Sequence, residues 1–148
     1  FETIFKNGDL ILMKENIKSL RQDHYVEVCV LDTWCRILNL RELNKKPDMP
    51  FRFFGSSYSS MHSVPMPNEN WDYEKKARLF CDGMADDLRK AGCEDKLEDI
   101  DMIMFPVCKS EHLYVVSFDF KEDAIDILDN SSVGGTKLSK YQSQHVHL

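Results

Sequence analysis

The sequence predicts an α+β fold in which helices pack on a mainly antiparallel sheet. Two observations carry that prediction. Three short apolar runs, Met102–Val107, Leu113–Phe120 and Ala124–Leu128, follow one another closely late in the chain. Their lengths and their β-branched and aromatic content are those of strands. Two earlier segments, Glu27–Leu40 and Asp72–Ala91, instead space apolar residues by three and four, the period of a helix with one buried stripe.

The 148 residues make one domain or most of one, and 43% apolar content supports a core. Net charge is −6, and the longest basic clusters are pairs such as Lys45-Lys46 and Lys75-Lys76. Phosphate binding needs larger groups of Lys and Arg, so nucleic acid is not an expected partner. No apolar run approaches the roughly 20 residues of a membrane span, so neither is a membrane. The start, Phe1-Glu2-Thr3, has no Met and no signal pattern, and reads as a piece of a longer chain. The five cysteines include no Cys-x-x-Cys, which argues against a zinc ribbon. Free thiols in a reducing, intracellular compartment, nucleus or cytoplasm, are the expectation. No metal or other cofactor is expected. The Asn130-Ser131-Ser132 sequon would need secretion, which nothing else supports.

Taken in order, Asn7-Gly8 marks a turn and Leu10–Met13 a short strand. In the first helix Val30, Leu31, Trp34, Ile37 and Leu38 form the stripe, which places Trp34 in the core. Lys45–Asn70 holds four of the five prolines and the run Ser56-Ser57-Tyr58-Ser59-Ser60. It reads as a long loop with one short strand, Phe51–Phe54, and His62 in it as a solvated side chain. The second helix buries Ala77, Phe80, Met84, Leu88 and Ala91, with Asp72 or Asn70 as N-cap and Gly92 as stop. Gly83 weakens its middle by about 1 kcal/mol. Asp82, Asp86, Asp87, Glu94 and Asp95 lack the alternating spacing of a cation loop and read as a solvated face. Beyond the strands, Gly134-Gly135 is a turn and Lys137–His147 a possible helix start. His145 and His147 could meet a metal only adventitiously, with no third ligand near in sequence.

The polar break Lys121-Glu122-Asp123 makes a hairpin of the last two runs. His112 opens one strand and Asp129 closes the other, so the fold-back brings both to one end of the sheet. An even-numbered loop puts them on one face, near a diagonal pairing; an odd loop without a bulge does not. A carboxylate beside an imidazole fixes its tautomer and stabilises the imidazolium that a general base becomes. The bland alternative is a His–Asp pair that only ends a hairpin.

These residues carry a resemblance. Asp101 through Phe105-Pro106, then His112-Leu113-Tyr114-Val115-Val116, then Ile127-Leu128-Asp129-Asn130-Ser131 resembles the ubiquitin-like-protein-specific (SUMO/sentrin) cysteine protease family, plant-type members above all. The resemblance implies a cysteine-proteinase-like fold and a peptidase that cleaves after the C-terminal diglycine of a ubiquitin-like protein, its expected partner. It implies His112 as catalytic base and Asp129 as its orienting acid. It implies that Leu113, where the family usually has Trp, and Tyr114 line the channel for the diglycine tail. Ahead of the first helix, Tyr25-Val26-Glu27-Val28 stands where the family has a segment ending in a capping Asp, and Val28 cannot cap. The family's Gln and Asp-Cys-Gly motifs follow its Asp. Here Gln142 and Gln144 follow Asp129, but no Cys does. Residues 1–148 are thus expected to be a partial catalytic domain without the nucleophile part. The rival expectation is a non-catalytic relative that at most binds a ubiquitin-like protein. A third reading makes Cys108 the nucleophile, which would need a depressed pKa.

Overall fold

The computed structural model describes residues 2–21, 25–61, 72–109 and 112–129. The chain opens with an antiparallel hairpin of β1 (Thr3–Asn7) and β2 (Leu10–Met13). The sequence predicts β2 but not its partner. A short helix α1 (Lys14–Ile17) and a 3-10 turn (Lys18–Leu20) lead towards α2 (Val28–Glu42). Then come β3 (Arg52–Phe54), α3 (Ser57–Met61) and α4 (Tyr73–Ala91). A 3-10 segment (Glu94–Asp99) precedes β4 (Met102–Lys109), β5 (His112–Asp119) and β6 (Ala124–Leu128). The main sheet has the order β3-β4-β5-β6, with β3 parallel to β4 and the other pairs antiparallel. The predicted class, helices on a mainly antiparallel sheet, is the one observed. His62, Gly134-Gly135, Lys137–His147, His145 and His147 lie outside the described residues.

The core forms where α4 meets one face of that sheet. Asp72 caps α4 by accepting the Lys75 N–H at 3.0 Å, and Gly92 ends it at φ 70°, a left-handed turn that suits glycine. Between these ends Met84, Leu88 and Ala91 turn inward, as their spacing predicts, with Phe80 packed alongside. They meet Ile103, Phe105 and Val107 of β4, Tyr114 of β5 and the fully buried Phe53 of β3. The register sets Ile103 opposite Phe118, Phe105 opposite Val116 and Val107 opposite Tyr114, so all six share one face. The Phe105 ring lies 5.2 Å from Phe80 and 6.1 Å, edge-on, from Phe118. Each such buried side chain contributes about 1.5–3 kcal/mol.

Helix α2 corrects one expectation. Trp34 is 55% exposed, not in the core. Its buried positions are Val30 of the predicted stripe and Thr33 in the first half, but Asn39 and Glu42 in the second half. The reason is hydrogen bonding rather than hydrophobicity. Strand β3 is the sheet's edge, and its outward backbone groups need partners. Asn39 donates to the Phe54 carbonyl and accepts the Phe54 N–H, both at 2.8 Å, while Glu42 accepts the Arg52 N–H at 3.0 Å. Glu42 is itself neutralised by Lys45 at 2.6 Å and Arg52 at 3.4 Å. These polar anchors rotate the helix away from its most apolar stripe.

The Ser-rich run corrects another, for it is helix α3 rather than loop. Its first N–H groups, which lack partners within the helix, are taken by carboxylates from both long helices. Asp87 of α4 accepts the Ser56 N–H and the Ser59 hydroxyl, each at 2.7 Å. Asp32 of α2 accepts the Ser57 N–H at 2.8 Å and the Ser57 hydroxyl at 3.0 Å. Asp87 is therefore not part of a solvated face. Ser60 donates its hydroxyl to the Pro106 carbonyl on β4, which ties α3 to the sheet.

Candidate active site

The hairpin β5–β6 positions the candidate pair. Asp119 faces Ala124, which leaves a four-residue loop, and Asp119 accepts the N–H groups of Lys121 and Glu122 at 3.0 Å. Asp123 takes the left-handed conformation at φ 49°, one that Asp tolerates better than most residues. The loop is even-numbered, so residues at the open end keep their faces. Towards the open end the rungs set Val116 against Ile127 and Val115 against Leu128. One further step sets Tyr114 against Asp129. His112, two residues before Tyr114, lies on that same face, diagonal to Asp129.

The geometry closes the pair. His112 Nε2 lies 2.7 Å from Asp129 Oδ1. The Asp129 side chain is 4% exposed and that of His112 36%. A carboxylate only accepts, so this bond puts the neutral imidazole's proton on Nε2 and leaves the Nδ1 lone pair as the base. The exposed edge of the ring can take a proton from outside, while the buried acid holds its orientation.

The other predicted site residues fall in different places. Tyr114 is 3% exposed and belongs to the core. Its ring is stacked at 6.2 Å and 25° from the imidazole. Its buried ring thus lies beside the imidazole. Burial first, and the negative charge of Asp129 second, hold its phenol above the usual tyrosine range. Leu113, half-buried, points to the opposite face from His112 by strand alternation.

Cys108 is paired with Leu113, and Lys109 with His112. Its thiol therefore stands on the other side of the sheet from the imidazole, which removes it as the nucleophile for His112. Burial pushes the Cys35 thiol up to about 12, with help from Asp32 and Asp87, and raises those of Cys29 and Cys93. All five cysteines are free thiols, and among the described residues none hydrogen-bonds His112. No described helix is long and apolar enough to cross a membrane. A cavity of about 470 Å³ opens between α2, α3 and α4, among Asp32, Arg36, Asp87 and Lys90, but neither His112 nor Asp129 lines it. Within the described residues the Arg36 Nη1 is buried and finds no acceptor, a feature that the sequence does not announce.

No protein-family model and no curated protein matches the chain. Solved structures do. It superposes on the SUMO protease Ulp1 with its catalytic cysteine oxidised to a sulfenic acid at a TM-score of 0.57 and 12% identity, covering 95% of this chain and 54% of that one. Against the Chaetomium thermophilum Ulp1-like SUMO protease catalytic domain the TM-score is 0.54 at 17% identity, covering 90% and 50%. A de-sumoylating protease gives 0.52 at 14%, covering 93% and 51%. The chain has the fold of these catalytic domains and spans about half the length of the structures it matches.

Proposed function

We propose that the chain supplies the acid–base half of a cysteine-type peptidase acting on a ubiquitin-like protein or its conjugates. The observation that carries this reading is the 2.7 Å bond from exposed His112 to buried Asp129, in a chain with the Ulp1-like fold. His112 would take a thiol proton at Nδ1 and return it to the leaving amine, with Asp129 orienting the ring. Residues 1–148 would then be a partial catalytic domain, with the Cys and the Gln of the oxyanion hole contributed by residues outside this chain. Leu113 is proposed to line the channel for the diglycine tail, less tightly than a Trp would. Five free thiols fit an intracellular setting, nucleus or cytoplasm.

A second reading is favoured by one observation, that no cysteine lies against His112 in this chain. It is a non-catalytic module that binds a ubiquitin-like protein. Both readings expect the purified chain to bind a SUMO-type protein and to leave a fluorogenic diglycine-linked substrate uncut. The discriminating material is a longer product of the same reading frame. Cleavage by that product, abolished by His112→Ala, supports the peptidase. Cleavage that survives His112→Ala refutes the assignment of His112, and binding without any cleavage supports the module.

A further inference from the structure

We infer that Tyr114 is a positioning residue whose buried ring keeps water away from the bond between His112 and Asp129. Asp129 sits just beyond the end of β6, where chain is usually wet. Its neighbour Leu128 is 55% exposed, and Ile125 on the same strand is also exposed. Yet its own side chain is almost fully covered. The register explains part of that cover: Tyr114 stands opposite Asp129, on the face that His112 shares. The phenol ring is nearly parallel to the imidazole and anchored below by the Val107 pairing. The raised phenol, shifted partly by the charge of Asp129, agrees with a hydroxyl close to that carboxylate. A dry acceptor holds an N–H more tightly than a wet one, because water does not compete for it and the local dielectric is low. In the peptidase reading, on which the role rests but its measurement does not, this keeps the ring from swinging away between turnovers.

The test needs no turnover. In the described chain, labelled with ¹⁵N at histidine, NMR follows exchange of the His112 Nε2 proton with solvent. Tyr114→Phe removes the hydroxyl but keeps the plate, and should raise the exchange rate by much less than loss of the ring does. Tyr114→Val opens it and should raise the rate about tenfold, while backbone amides of Ile103 and Phe53 keep their protection. Should Tyr114→Val fold poorly, Tyr114→Leu, closer in volume, is read by the same criteria. The inference is overturned by an unchanged rate in the Val or Leu variant, by equal acceleration of the core amides, or by an acceleration in Tyr114→Phe as large as in Tyr114→Val. Loss of the peptidase reading looks different: an intact, sheltered Nε2 proton in a longer chain that cuts nothing.

Discussion

Gly83 of α4 lies against Ser59 of α3 so closely that a Cβ on it would meet the Ser59 Oγ at 2.8 Å and the Ser59 Cα at 3.2 Å. The hydroxyl could swing aside, but the Cα belongs to backbone held by Asp32 and Asp87. Two effects therefore oppose each other in Gly83→Ala. Helix propensity gains about 1 kcal/mol, and overpacking costs about 1–3 kcal/mol. Packing should win, with a net loss of about 1 kcal/mol. Urea unfolding checks this, and a variant as stable as the parent would show that α3 is not fixed where described.

The tautomer of His112 is a second prediction. Because Asp129 only accepts, neutral His112 should carry its proton on Nε2, readable from imidazole ¹⁵N shifts at high pH. Asp129→Asn offers either an oxygen or an NH₂ to that nitrogen and should give a mixture of tautomers. A parent protein protonated at Nδ1 would remove the base from the exposed edge of the ring.

Asp32 gives a pH dependence of definite sign. Burial, first of its causes, raises its pKa above the ordinary carboxylate value, against the bonds from Ser57 that lower it. The folded state therefore holds this proton more tightly than the unfolded chain does. Its contribution to stability is complete below the ordinary carboxylate range and fades as pH rises through the raised value. Asp32→Asn should remove that decline and be no less stable than the parent at neutral pH, since the amide still accepts from Ser57. Denaturation across pH 3 to 8 tests it (a range set by the reference carboxylate pKa of about 4). A steeper decline in the variant would contradict the sign.

Arg36 gives a fourth. Its buried Nη1 has no acceptor among the described residues, and an unmatched buried donor costs about 1–3 kcal/mol. Arg36→Met keeps the apolar stem and drops the donor, so stability should rise by about 1 kcal/mol. A rise in thermal midpoint is the expected readout; a fall would mean that water or a ligand satisfies the guanidinium.

The pairing of His112 with Asp129 was more legible in the sequence than the orientation of α2 or the existence of α3. His112 and Asp129 could be placed because strand runs and a short polar break define a hairpin, and loop parity then decides the face. Tyr114 was harder, since its place under the pair depends on the pairing to Val107 and not on its own neighbours in sequence. Trp34 misled because periodicity counts apolar residues only, whereas α2 is oriented by Asn39 and Glu42 bonding an edge strand. Helix α3 was invisible because its start is completed by Asp32 and Asp87, 25 and 28 residues from their serine partners Ser57 and Ser59. Local propensity in a run of serines holds no trace of such distant acceptors.

The side chains of Asn39 and Glu42 that occupy the outer edge of β3 set a limit on self-assembly. A sheet recruits further chains only where backbone groups stand free. Here one border is occupied, and among the described residues no strand flanks β6 on its outer side. Among the described residues, the four-stranded sheet then keeps a single border, that of β6, for strand addition. Two copies joined β6 to β6 would consume both of those borders, so extension of this sheet would stop at a pair. Asn39→Ala, by freeing both Phe54 groups, should open the second border of this sheet, and sedimentation at rising concentration should then find larger assemblies than the parent forms.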